Sequence, residues 1–84
     1  MVFTLYSRSY CHLCDDMLLA LRAQLGTLTA DISVLDVDAD PLLLEKYDEL
    51  VPVLTGRHGD GPVNELCHYF LDAERLSRFI SARP

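Results

Sequence analysis

Strand-like and helix-like runs alternate along this chain at intervals short enough to allow only a small sheet with short crossing helices. Val2 to Tyr6 is rich in β-branched and aromatic residues and reads as a strand, with Ser7-Arg8-Ser9 as the turn after it. Leu13, Met17, Ala20, Leu21, Leu25 and Leu28 then recur at helical spacing, with Asp15, Asp16, Arg22 and Gln24 between them. That pattern predicts an amphipathic helix ending near Gly26 to Leu28. Asp15 and Asp16 fall in its first turn, where carboxylates meet the positive end of the helix dipole. Ile32 to Val37 reads as a second strand. Asp40-Pro41 marks a helix start, an N-cap followed by proline at the first helical position, and the helix runs to Tyr47 or Glu49. Val51 to Thr55 is a third strand entered through Pro52. A glycine-rich turn, Gly56 to Gly61, leads to a fourth strand around Val63 to Phe70. Asp72 caps a last helix whose Leu76, Phe79 and Ile80 share one face.

The order is β-α-β-α-β-β-α, the pattern of an α/β domain. Two leading βα units imply parallel strands with crossover helices, and the closing hairpin implies an antiparallel edge. The expected architecture is a four-stranded mixed sheet with helices on both faces, one domain over residues 1–84. Thirteen acidic against seven basic residues leave a net charge of −6. That argues against a phosphate-tracking nucleic-acid binder and against a polybasic membrane-surface protein. No apolar run approaches the roughly 20 residues needed to span a bilayer. Nothing in Met1 to Tyr6 reads as a signal peptide, so the cytoplasm is the expected compartment and a monomer the expected state. Three cysteines, two closely spaced, are not the framework of a disulfide-stapled secreted domain.

Those two, in Cys11-His12-Leu13-Cys14, fall where the first strand hands over to the first helix. Positions i and i+3 of a first helical turn share a face, close enough for their sulfurs to bond. The helix N-terminus supplies unpaired N–H groups and a partial positive charge, which favour thiolate over thiol. Cys11 at the cap is then the exposed attacking sulfur and Cys14, one turn inside, the resolving one. Arg8 and protonated His12 favour the Cys11 thiolate, whereas Asp15 and Asp16 oppose it. Val51-Pro52 points the same way. A cis bond there turns the chain sharply and leaves the Val51 backbone free to pair with an extended substrate; a trans proline merely ends the second helix.

Tyr6-Ser7-Arg8-Ser9-Tyr10-Cys11-His12-Leu13-Cys14 after a first strand, with Val51-Pro52-Val53 before the third, resembles the thioredoxin superfamily. More narrowly, it is similar to the small glutaredoxin-like proteins of bacteria. The resemblance covers essentially the whole chain. It implies a thioredoxin-like fold and thiol–disulfide exchange, with Cys11 as nucleophile, Cys14 as resolving thiol, Pro52 as the cis-proline facing them and the Val51 backbone as substrate clamp. Arg8 stands where glutaredoxins carry a basic residue that pairs with a glutathione carboxylate. Asp72 stands where they carry an acidic residue at the start of the last helix. Protein or low-molecular-weight disulfides are the implied partners, with glutathione as co-substrate and no bound cofactor. The chain departs from the glutaredoxin pattern at His12-Leu13 between the cysteines, at Leu50 before Val-Pro, and at Tyr69-Phe70 in place of a glycine pair.

Two other functions compete with that one. An iron–sulfur or metal carrier would hold its cluster through Cys11 of two subunits, and a non-catalytic module would bind peptides along the Val51 edge. Cys11, His12, Cys14, Cys67 and His68 include enough ligand types for a tetrahedral zinc site. Strand alternation, however, sends Cys67 and His68 to opposite faces, so no metal is assigned. The acidic run from Asp36 to Asp40 reads as a solvated strand end and helix cap.

Overall fold

In the computed structural model, which describes residues 1–82, the strands are β1 (Val2–Ser7), β2 (Asp31–Asp36), β3 (Val53–Arg57) and β4 (Asn64–His68). The helices are α1 (His12–Leu25), α2 (Pro41–Tyr47) and α3 (Ala73–Ser81), and a single 3-10 turn, Val37–Ala39, precedes α2. Caps explain where the helices begin. The Asp40 carboxylate accepts the Leu42 N–H at 2.9 Å, and the Asp72 carboxylate accepts the Arg75 N–H at 3.0 Å. At the other end of α1, Gly26 takes φ +58°, and its N–H closes on the Arg22 carbonyl.

The sheet order is β2-β1-β3-β4. β1 and β2 are parallel, in register from Val2–Asp31 to Ser7–Asp36, and the β3–β4 hairpin is antiparallel with an irregularity between Leu54 and Thr55. β3 runs antiparallel to β1, pairing Tyr6 with Val53 and Val2 with Arg57. The second βα unit therefore does not add a parallel strand, contrary to the expectation from the element order. The reason is length. β2 ends and β3 begins at the same end of the sheet, and the seven residues of α2 span only about 10 Å. That covers two strand spacings of about 4.8 Å, a passage across β1, and not a return along it.

Alternation along the strands sorts the core into two layers. Phe3 and Leu5 of β1, Leu54 of β3 and Leu66 of β4 face Met17, Leu21 and Leu25 of α1 and Leu76 and Phe79 of α3. On the opposite face Val53, with Tyr6 packed beside it, meets Val37, Leu43, Leu44 and Tyr47. The helices thus cover both faces, and each buried Leu, Phe or Val contributes roughly 1.5–3 kcal/mol relative to exposure. Burial against α2 pushes the Tyr6 phenol up, with the nearby Tyr47 adding to it. β2 is an edge strand on which Val34 and Leu35 stay exposed. No helix among the described residues is long and apolar enough to cross a membrane.

Candidate active site

Cys11 is the N-cap of α1. Its backbone is extended (φ −109°, ψ 104°), its carbonyl accepts the Asp15 N–H at 3.2 Å, and its Sγ accepts the Cys14 N–H at 3.1 Å. The two cysteines form a disulfide with Cα atoms 5.2 Å apart, inside the usual range for such a bond. Cys11 is partly exposed while Cys14 is only 3% exposed. One sulfur therefore faces solvent and the other lies a turn deeper. In the reduced pair the same Cys14 amide and the helix end stabilise negative charge on the outer sulfur. His12, Leu13 and Asp15 are exposed on that turn, and Asp16 is exposed just beyond it. Tyr10, at φ +58°, is fully exposed ahead of Cys11.

The Val51–Pro52 peptide bond is cis. Pro52 is buried and its carbonyl accepts the Tyr69 N–H at 2.9 Å. The N–H and C=O of the half-buried Val51 make no hydrogen bond to any described residue. Because Tyr6 pairs with Val53, the segments entering α1 and leaving α2 meet at one end of two adjacent strands. Cys11, Cys14, Val51 and Pro52 are thereby gathered at the same end of the sheet.

Arg8 joins those segments. Its Nη2 donates to Asp48 Oδ1 at 2.7 Å and to Asp38 Oδ1 at 3.2 Å, and its Nη1 donates to the Asp48 carbonyl at 3.4 Å. The Asp48 hydrogen bond leads the influences that hold the guanidinium above its ordinary pKa. The sequence reading has Arg8 as a cation available to Cys11 or to a substrate carboxylate, but its charge is committed to two carboxylates of the chain itself. Those partners lie 30 and 40 positions away, so no local pattern announces them. Tyr69 makes a similar tie: its hydroxyl donates to the Glu49 carbonyl at 2.6 Å, from a residue held at φ +65°.

Asp72 is placed differently. It caps α3, and the start of that helix is tied to the C-terminal half of α1, where Gln24 Nε2 donates to the Ala73 carbonyl at 2.8 Å. Gln24 lies about 20 Å along the helix axis from Cys11. Asp72 also borders a cavity of about 710 Å³ with His58, Asn64, Arg75, Arg78 and Phe79, and none of Cys11, Cys14, Val51 and Pro52 lines it. Cys67 is half-buried against the α1–α3 layer, and this burial pushes its thiol up, only partly offset by a main-chain hydrogen bond from Asp72. His68 is exposed, with its ring 4.7 Å from that of Tyr69. Among the described residues no three His, Cys, Asp or Glu side chains converge as a set of metal ligands.

Comparison with known proteins places this geometry in a family. The sequence model described as "Glutaredoxin-like domain (DUF836)" matches residues 2–81. A Nitrosomonas europaea protein solved by NMR in solution is 31% identical, with a TM-score of 0.76 over 92% of this chain and 87% of that one. A protein from X. campestris solved by X-ray is 33% identical, with a TM-score of 0.64 over 98% of this chain and 99% of that one. The oxidised mitochondrial thioredoxin 3 of Saccharomyces cerevisiae, at 17% identity, superposes with a TM-score of 0.66 over 95% and 76% of the two chains, a likeness of fold. Among curated proteins, no sequence matches this chain.

Proposed function

The chain belongs to the glutaredoxin-like family of the thioredoxin superfamily, and from that premise we propose that it is a thiol–disulfide oxidoreductase cycling Cys11 and Cys14 between dithiol and disulfide. In the reduced protein the Cys11 thiolate, held by the Cys14 amide and the end of α1, attacks one sulfur of a substrate disulfide. A bond forms between Cys11 and that sulfur, the substrate S–S bond breaks, and the released thiolate takes up a proton. Cys14 then loses its proton and attacks Cys11 Sγ. The intramolecular disulfide forms, and the second substrate thiol departs. Two electrons and two protons have passed to the substrate, and an external thiol reductant returns the pair to its starting state.

The observation that carries this reading is the bonded pair itself, with Cys11 Sγ at the helix cap accepting the Cys14 N–H. The unpaired Val51 N–H and C=O, just ahead of β3 at the same end of the sheet, support it further, as main-chain groups on which an extended substrate could be held. Insulin or hydroxyethyl disulfide reduction tests it. Cys11→Ser is expected to abolish turnover, and Cys14→Ser to attack once and then accumulate a mixed disulfide visible by mass spectrometry. Full turnover by Cys11→Ser would overturn the assignment.

A further inference from the structure

The surroundings of Cys11 carry information about what the site accepts, because its fixed charges are so one-sided. Asp15 in the first turn of α1 and Asp16 just beyond it stand exposed directly after the cysteine pair. Asp48 and Glu49, also exposed, lead into Val51. Among the described residues the guanidinium at this end is Arg8, held by Asp38 and Asp48, and Lys46 of α2 is drawn over the Tyr47 ring at 5.1 Å. Such a mouth repels an anion and attracts a cation, in rate before affinity.

Its apolar surface is equally distinct. Tyr10 is fully exposed beside Cys11, Leu13 is partly exposed one residue past His12, and Phe70 is 70% exposed where β4 gives way to α3. Two hydrogen bonds tie the segments that carry Tyr10 and Phe70 to the stretch between α2 and β3. Arg8, three residues before Cys11, bonds to Asp48, and Tyr69, next to Phe70, bonds through its hydroxyl to Glu49. Between them the N–H and C=O of Val51, two residues before β3, make no hydrogen bond to any described residue and are open to main chain.

We propose, resting on the thiol–disulfide reading above, that the substrate of Cys11 is a disulfide in a polypeptide segment carrying basic and apolar side chains beside its cysteines, and that the site discriminates against glutathione. Oxidised glutathione brings four carboxylates against two ammonium groups, and it meets aspartates beside an Arg8 guanidinium already engaged by Asp38 and Asp48. A lysine- or arginine-bearing segment pairs its main chain with Val51, sets apolar side chains on Tyr10 and Phe70, and meets the aspartates with its cations.

Single-turnover mixing of the reduced full-length protein with three disulfides tests this. The first is a cyclic peptide with leucine and lysine beside each cysteine, the second the same peptide with glutamate for lysine, and the third oxidised glutathione. At about 10 mM salt the lysine peptide is expected to be reduced at least about tenfold faster than either of the others. Near 1 M salt, where the Debye length is only about 3 Å, that ratio should approach one. Asp16→Asn combined with Glu49→Gln should shrink the low-salt ratio, and Tyr10→Ser with Phe70→Ser should slow the lysine peptide. Equal rates for glutathione and the lysine peptide, or a ratio indifferent to salt and to the charge variant, overturn the inference while leaving the redox reading intact. If Cys11→Ser reduces all three like the unaltered chain, the redox reading falls and this inference with it.

Discussion

Gly56→Ala offers a sharp test of how the face beneath α1 and α3 is packed. Gly56 lies in β3, buried, and a Cβ built on it would sit 2.8 Å from both Cε1 and Cζ of Phe79 and 3.1 Å from Cδ1 of Leu66. Carbon atoms prefer about 3.5–4.0 Å, so the ring must retreat by roughly 1 Å. It is poorly free to do so. Phe79 is 8% exposed, sits edge-on to Phe3 with ring centroids 5.6 Å apart, and carries the His58 ring stacked at 4.1 Å. His58 Nε2 is also 2.7 Å from the Phe79 carbonyl, so ring and loop would move together. Overpacking of this kind costs about 1–3 kcal/mol. Removing glycine's freedom from the unfolded chain returns about 0.4–1 kcal/mol, since Gly56 does not occupy the left-handed region. The midpoints of those ranges leave a net loss of about 1.3 kcal/mol, corresponding to a fall in Tm of roughly 5–10 °C for a domain this size. Urea melts followed by circular dichroism measure it. In a Phe79→Leu background the alanine should cost at least about 1 kcal/mol less, because the blocking ring is gone. An unchanged midpoint for Gly56→Ala, or the same loss with and without the Phe79 ring, would refute the packing argument.

Other perturbations address the capping, thiol and charge arrangements. Asp72→Ala should cost about 1 kcal/mol in a urea melt by uncapping α3, with Asp72→Asn retaining most of the stability. With Cys11 and Cys14 oxidised, Cys67 is the remaining thiol, and burial holds it above its ordinary pKa. Iodoacetamide should therefore label it much more slowly in the native protein than in urea. Above the ordinary thiol pKa the unfolded chain releases a proton that the folded chain keeps, so stability falls as pH rises through that window. Urea midpoints at pH 7.5 and 9.5 should show that fall, and Cys67→Ala should remove its share of the slope. Arg8→Ala should speed hydrogen exchange of the amides near Cys11 and Val51 by freeing both segments, and Arg8→Lys should protect them only in part, because one ammonium replaces a two-armed fork. Exchange equal to that of the unaltered protein in both variants would show that Arg8 ties nothing down.

The order of elements, the caps at Asp40 and Asp72, and the placing of Cys11 and Cys14 at the start of α1 are legible in the amino-acid order alone. Each depends on residues within a few positions of one another, where backbone preference and side-chain period act without help from the rest of the chain. The Cys11–Cys14 disulfide and the amide bond to Cys11 Sγ follow from that same local geometry. That β3 opposes β1 emerges only in the folded chain, because the direction of a strand depends on where a seven-residue helix can carry the chain across the sheet. The fold also dictates that Arg8 spends its charge on Asp38 and Asp48, that Tyr69 bonds to Glu49, and that Asp72 stands by the far half of α1. These contacts join positions 20 to 49 residues apart. Those of Arg8 and Tyr69 exist because strand ends and helix termini converge at one end of the sheet, and that of Gln24 because α1 and α3 pack on one face, arrangements that no local periodicity encodes.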